Sequence, residues 1–289
     1  MKPFDFIQPT TIDAAILALA EHNPNVRILN GGTDYLVELK HVAQSPGVVV
    51  DVSRLQDLRG IEIIDAGLRI GAGTTHTEIM ADPLVKEYVP AMIDAAHTVG
   101  AVQTRNLGTL GGNLVTCVPS MDSGPTLLAL DAKVIILGSK GTRQSSLTDF
   151  FIGPRRTSLE PDELLLEIII PKENLGKAAS FIKFGLRKGQ ALALVNAASA
   201  LWVEGNKFKD VRIALGAVAP VVMRATKAEA LLEGQVISED LVQEAAKIAV
   251  GEAKPIDDFR ASKEYRNDLI EVGTRRTLQA ALTASNIEN

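Results

Sequence analysis

A multi-domain α+β fold is predicted by three observations on this 289-residue chain. Its first fifth alternates strand, turn, helix and strand, as a small α/β unit does. The middle mixes short helices with isolated strands around a glycine-dense stretch. The last third reads as three consecutive strands followed by three helices, which suggests a sheet with helices on one face. Apolar residues make up 46% and charged residues 22%, the balance of a globular chain with a sizeable core. No internal repeat or low-complexity segment interrupts the pattern.

In the first unit, Thr11 caps a helix from Ile12, whose apolar residues recur at helical spacing. A strand at Val26–Leu29 runs into Asn30-Gly31-Gly32-Thr33-Asp34, followed by a helix over Tyr35–His41 and an apolar strand over Val48–Val52. Ile61–Ile64, the turn Asp65-Ala66-Gly67 and Leu68–Ile70 predict a hairpin. Helical stretches follow around Thr77–Met80 and over Pro83–Val99, then a glycine-dense loop over Arg105–Asn113. A short helix is expected at Pro125–Leu130, with strands at Lys133–Leu137 and Leu164–Ile170. Asn174-Leu175-Gly176-Lys177 reads as a linker. Beyond it, strands are predicted at Ser180–Leu186, Ala191–Glu204 and Lys207–Val218, with Pro220 closing the sheet. Helices are predicted over Lys227–Leu232, Ser238–Val250 and Ser262–Leu282.

Thirty basic against thirty-five acidic residues give a net charge of −5, with no basic run, so phosphate-backbone binding to nucleic acid is not expected. The lone Cys117 excludes internal disulfides and iron–sulfur or cysteine-rich zinc ligation; it reads as a small buried hydrophobe. The longest apolar runs are too short or too interrupted to span a bilayer, and the N-terminus lacks a signal-peptide core. A cytoplasmic protein is expected. The four histidines (His22, His41, His76, His97) are scattered, and surface or satisfied-core positions are their expected places. Gly71-Ala72-Gly73 begins like a dinucleotide fingerprint, but His76 stands where the third glycine belongs.

Chemistry is concentrated in two glycine segments. In Asn30–Asp34, backbone amides freed by glycine, next to a helix start, can form an anion-binding hollow. The same residues also suit a plain strand-to-helix turn with Thr33 or Asp34 as cap. Gly108-Thr109-Leu110-Gly111-Gly112-Asn113 offers a second hollow. A diphosphate between the two would be held mainly by main-chain donors, with Thr109 and Asn113 adding side-chain bonds. Asp122 could accept from ribose hydroxyls or cap the helix near Pro125. Arg105 could face phosphate or a structural partner, and Lys183 and Arg187 could face a cofactor ring or solvent.

Leu29–Leu36, Arg105–Asn113 continuing to Pro119 and Asp122, and Phe181–Val195 together resemble the flavin-binding medium subunits of the molybdenum hydroxylase family. Relatives there include the flavin subunits of carbon monoxide and xanthine dehydrogenases. The resemblance implies a two-subdomain FAD-binding fold of the vanillyl-alcohol-oxidase/p-cresol-methylhydroxylase type, over residues 1–57 and 58–173, with a flavin-covering α+β domain over 177–289. It places Leu29, Asn30, Gly31, Gly32, Thr33, Asp34 and Tyr35 on one side of the cofactor. Thr109, Leu110, Gly111, Gly112 and Asn113 fall on the other, with Val115, Thr116 and Asp122 at the adenosine half or linker. Gly100 and Ala101 match a position close to the cofactor, and Lys183 and Leu192 one near the isoalloxazine. The family has alanine where Asn30 stands. Thr33 occupies the place of a flavin-linking histidine, which implies non-covalent FAD, and the single cysteine disfavours the 4-hydroxybenzoyl-CoA reductase branch.

The implied function is electron transfer within an oxidoreductase complex. The expected partners are a small subunit with 2Fe-2S clusters and a large subunit with the molybdopterin cofactor, as a dimer of heterotrimers. A self-sufficient FAD oxidase or reductase of the same superfold, and a scaffold that has lost its flavin, are the competing readings.

Overall fold

The structure, a computed structural model, describes residues 3–41 and 46–285. The first unit is a three-stranded parallel sheet in which Val48–Asp51 lies between Asp5–Ile7 and Val26–Leu29. Val48, Val49 and Val50 are buried because this strand is flanked on both edges. The Ile12–His22 helix covers the sheet, and the Thr11 side chain accepts from the Ala14 amide at 3.2 Å as an N-cap. Asp5–Ile7 had no signature of its own: three half-exposed residues are too few to show a period, and only pairing makes them a strand.

The second unit is built on a five-stranded antiparallel sheet ordered Ile61–Ile64, Gly67–Gly71, Leu164–Pro171, Lys133–Gly138, Gly141–Ser146. Two expectations fail here. The helix expected over Pro83–Val99 is two, Pro83–Tyr88 and Ala91–Thr98, because Val89 leaves helical geometry ahead of Pro90. The expected glycine loop over Arg105–Asn113 is mostly helix, Val102–Leu107 and Leu110–Thr116, jointed at Gly108-Thr109. Helix-breaking propensity loses there to packing: a Cβ on Gly111 would sit 2.6 Å from the Ala72 Cβ, so glycine lets the helix lie against the sheet.

The third unit has a four-stranded antiparallel sheet, Ala178–Gly185, Ala193–Glu204, Lys207–Gly216 and Met223–Arg224, the last a two-residue strand beyond Pro220 that the reading ending the sheet there omits. Helices Thr226–Leu232, Glu239–Glu252 and Lys263–Ser285 form one core with one face. The other face, through Phe181, Ala198, Ala200 and Ala214, joins the core of the second unit. That double cover is why Ala193–Leu201 is buried throughout. The expected linker is no tether: Asn174 Nδ2 donates to the Leu130 carbonyl at 3.0 Å, and the buried Lys177 Nζ reaches Asp210 at 2.6 Å. Its composition is that of a linker, yet its polar groups find buried partners.

Candidate cofactor site

A cavity of about 540 Å³ lies where the three units meet, within the range of small-molecule sites. It opens at the carboxyl end of the Val26–Leu29 strand, the usual place for ligands in parallel sheets. Its wall takes in Leu29, Asn30, Gly31, Gly32, Thr33, Asp34 and Tyr35 from the first unit. Gly100, Thr109, Gly111, Gly112, Asn113, Val115, Thr116 and Asp122 come from the second, and Leu192 from the third.

Three predicted residues stand off this wall. Leu110 points into the apolar core, fully buried. Ala101 occupies the N-cap position of the Val102–Leu107 helix. Lys183 turns its ammonium to Asp122 and to the Thr98 carbonyl, 2.5 and 3.0 Å away, rather than to a ring.

The two glycine segments differ in kind. The amides of Gly31, Gly32, Thr33, Asp34 and Tyr35 have no acceptor among the described residues. Gly32 sits at φ +70°, where a side chain is strained, while a Cβ on Gly31 would fall on the Leu107 carbonyl oxygen. Neither Thr33 nor Asp34 caps the Tyr35–Leu39 helix through its side chain. The plain-turn alternative therefore loses its cap, and a run of five donors faces the cavity wall unspent.

In the second segment all amides but that of Thr109 are already used. Leu110 N–H donates to Thr74 O, Gly111 to Ala72 O, Gly112 to Thr109 Oγ1 and Asn113 to Thr109 O, at 2.9–3.1 Å. It is therefore no main-chain cradle: helix formation and the Ala72 and Thr74 carbonyls consume its donors apart from the Thr109 N–H. Gly111 and Gly112 are not at positive φ either; Gly111 serves close packing. What this segment presents is side chain: the Thr109 hydroxyl, still able to donate its proton, and Asn113, whose Oδ1 is enclosed without a partner.

Asp122 lies at the seam with the third unit. Its carboxylate meets Lys183 Nζ at 2.5 Å and Asn196 Nδ2 at 3.2 Å, with side-chain exposure of 8% for Asp122 and 9% for Lys183. Burial pushes its carboxyl above the usual range, opposed by the Lys183 charge and the hydrogen bonds it accepts. It makes no cap bond to the helix, which begins at Ser123. At the rim, Arg187 donates to the Gln190 carbonyl at 3.2 and 2.7 Å, and Gln190 N–H ties this loop to the Gly100 carbonyl at 3.1 Å.

Sequence reasoning passed over Thr104, Gln190 and Ala191, and left His76 to a satisfied or surface place, whereas all four line the cavity. No periodicity or motif marks them. Only the fragment Gly71-Ala72-Gly73 before His76 drew notice, for a different motif.

The residues fit a dinucleotide carrying a diphosphate. Free amides suit the anion, and Tyr35, His76 and Asn113 of the same wall each carry a buried polar atom with no partner among the described residues. Among the described residues no group of His, Cys, Asp and Glu could hold a metal ion, and no helix is long and apolar enough to cross a membrane.

Fold and cavity together define a flavin-adenine-dinucleotide-binding oxidoreductase subunit. Residues 2–173 match the model of the FAD-binding domain in molybdopterin dehydrogenase, and residues 180–281 that of the CO dehydrogenase flavoprotein C-terminal domain. The chain belongs to the FAD-binding medium subunits of the molybdenum hydroxylase family. It is 32% identical over 289 residues to the xanthine dehydrogenase FAD-binding subunit of Escherichia coli O157:H7, covering 98% of both chains. Among solved structures it is similar to carbon monoxide dehydrogenase of Hydrogenophaga pseudoflava, at TM-score 0.94 and 29% identity over 98% of this chain and 99% of that one. Quinoline 2-oxidoreductase of Pseudomonas putida 86 gives TM-score 0.91 and 33% identity, over 99% and 100%.

Proposed function

We propose that this chain is the electron-transfer flavoprotein of a cytoplasmic molybdenum hydroxylase, working with a small 2Fe-2S subunit and a large molybdopterin subunit in a dimer of heterotrimers. Electrons leave the substrate at the large subunit, cross the clusters of the small one, and pass through this chain to an external acceptor. The observation that carries the reading is the row of unspent amides from Gly31 to Tyr35 in a cavity shared by all three units. End-to-end coverage of relatives described as FAD-binding subunits and medium chains supports it, as does the likeness to a carbon monoxide dehydrogenase whose description names a molybdenum cofactor, there without its Mo-pyranopterin moiety.

FAD, when bound, supplies the exchange of one and two electrons between clusters and acceptor. The chain itself binds and orients. Gly31–Tyr35 take the diphosphate through their amides, and Thr109 and Asn113 add side-chain bonds. Val115 and Thr116 flank the adenosine half. Asp122, held by Lys183 and Asn196, accepts from the sugar hydroxyls, while Gly100 and Leu192 border the ring. Thr33 offers no imidazole or thiol for a covalent flavin bond, so the cofactor is non-covalent.

Purification of the chain at native expression, with absorbance and mass spectra, tests the proposal. A yellow chain that co-purifies with iron–sulfur and molybdenum subunits, and releases all its FAD on acid precipitation, is expected. A yellow chain that never associates with them, or that is reduced quickly alone by a small organic substrate, refutes the complex. FAD that stays with the precipitate refutes the non-covalent site.

A further inference from the structure

His76 opens the His76–Ala81 helix, directly behind the joint at Gly108-Thr109. The residue is 1% exposed and belongs to the cavity wall. The backbone pins it there, His76 N–H donating to the Gly108 carbonyl at 3.1 Å. A Cβ built on Gly108 would lie 3.3 Å from the Thr33 hydroxyl and 3.6 Å from the imidazole Cδ2. The ring therefore borders the same spot as the segment with the free amides.

Neither ring nitrogen has a hydrogen-bond partner among the described residues; Nδ1 is enclosed by protein, which leaves Nε2 as the nitrogen open to a ligand. A buried polar side chain left so forfeits solvation with nothing in return unless a ligand completes it. Cations near the cavity are committed elsewhere: Arg187 to the Gln190 carbonyl, Lys183 to Asp122, and Arg105 to the carbonyls of His97 and Val99. Burial, reinforced by the Arg105 charge, lowers the imidazole to about 4, so near neutral pH the ring carries one N–H donor.

We infer that His76 contacts the cofactor, its Nε2–H donating a hydrogen bond to the FAD diphosphate alongside the amides of Gly31–Tyr35. This rests on the FAD reading of the cavity and adds a ligand outside both glycine segments.

The test uses the full chain freed of flavin, as wild type, His76→Gln and His76→Leu. FAD affinity is read by quenching of flavin fluorescence, and ADP, which carries the diphosphate without the flavin, is read as a competitor. His76→Leu is expected to weaken both FAD and ADP about tenfold, the loss of one hydrogen bond to a charged group. His76→Gln keeps a donor and stays within about threefold of wild type. The flavin-free Leu variant melts no lower than wild type, since it gives up an unpartnered polar group. Equal FAD affinity in wild type and His76→Leu overturns the inference, and so does a loss for FAD with none for ADP. A wild-type chain that binds neither refutes the FAD reading itself, and the inference with it.

Discussion

Replacing Lys183 by Met strands the Asp122 carboxylate at the seam between the second and third units. Both partners of that pair are more than nine-tenths buried, so solvent does little to screen what is lost. Breaking one side of a buried pair costs about 3–5 kcal/mol, because the remaining charge keeps its desolvation penalty. For a chain of this size that lowers the melting temperature by about 5–8 °C. The pH dependence gives the argument its sign. Burial already raises the Asp122 carboxyl, and Lys183 opposes the rise; without Lys183 it rises further. A carboxyl whose folded pKa lies above its unfolded value favours folding at low pH, an advantage lost as pH rises through the folded pKa. The deficit of Lys183→Met relative to wild type should therefore be largest near pH 8 and shrink toward pH 5. Urea unfolding of both proteins across that range measures it. A deficit below about 1 kcal/mol, or one that does not shrink with falling pH, would refute the buried pair as the seam's electrostatic tie.

Three further outcomes follow from the same geometry. Gly31→Ala puts a methyl on the Leu107 carbonyl oxygen, and should destabilise by about 1–3 kcal/mol as overpacking does while abolishing flavin uptake; denaturation and absorbance check the two effects separately. Thr109→Ala loses the bond to the Gly112 amide, costing about 1 kcal/mol and weakening FAD several-fold in a fluorescence titration, whereas Thr109→Ser recovers both. Asn113→Leu removes the enclosed, unpartnered Oδ1, so the flavin-free chain should melt at or above the wild-type temperature while FAD binding falls about tenfold.

Much of the architecture could be read from local pattern. Strong periodicity found the Ile12–His22 helix with its Thr11 cap, and alternation with glycine turns found the hairpin and the three long strands of the last unit. Asp5–Ile7 and Met223–Arg224 escaped because each is too short to carry a period and exists only through its neighbour. The glycines of Leu110–Thr116 read as loop because propensity counts backbone entropy and does not see the Ala72 surface that glycine lets the helix approach. In the site, the two glycine segments were found, but the donors of one proved free and those of the other, Thr109 N–H apart, spent. His76 and Gln190 were missed because nothing in their flanking residues marks them.

The chain's residues alone determined the class: an α/β start and a glycine segment at the end of the Val26–Leu29 strand, in a chain with one cysteine and no basic run. Tertiary structure decided which atoms remain available to a ligand. The amides of Gly111, Gly112 and Asn113 are consumed by Ala72 and Thr109, the ammonium of Lys183 by Asp122 across the domain seam, and the imidazole of His76 by nothing among the described residues. A hydrogen bond joins groups that are neighbours in space, and partners from Asp122 to Lys183 are brought together only by the folded chain.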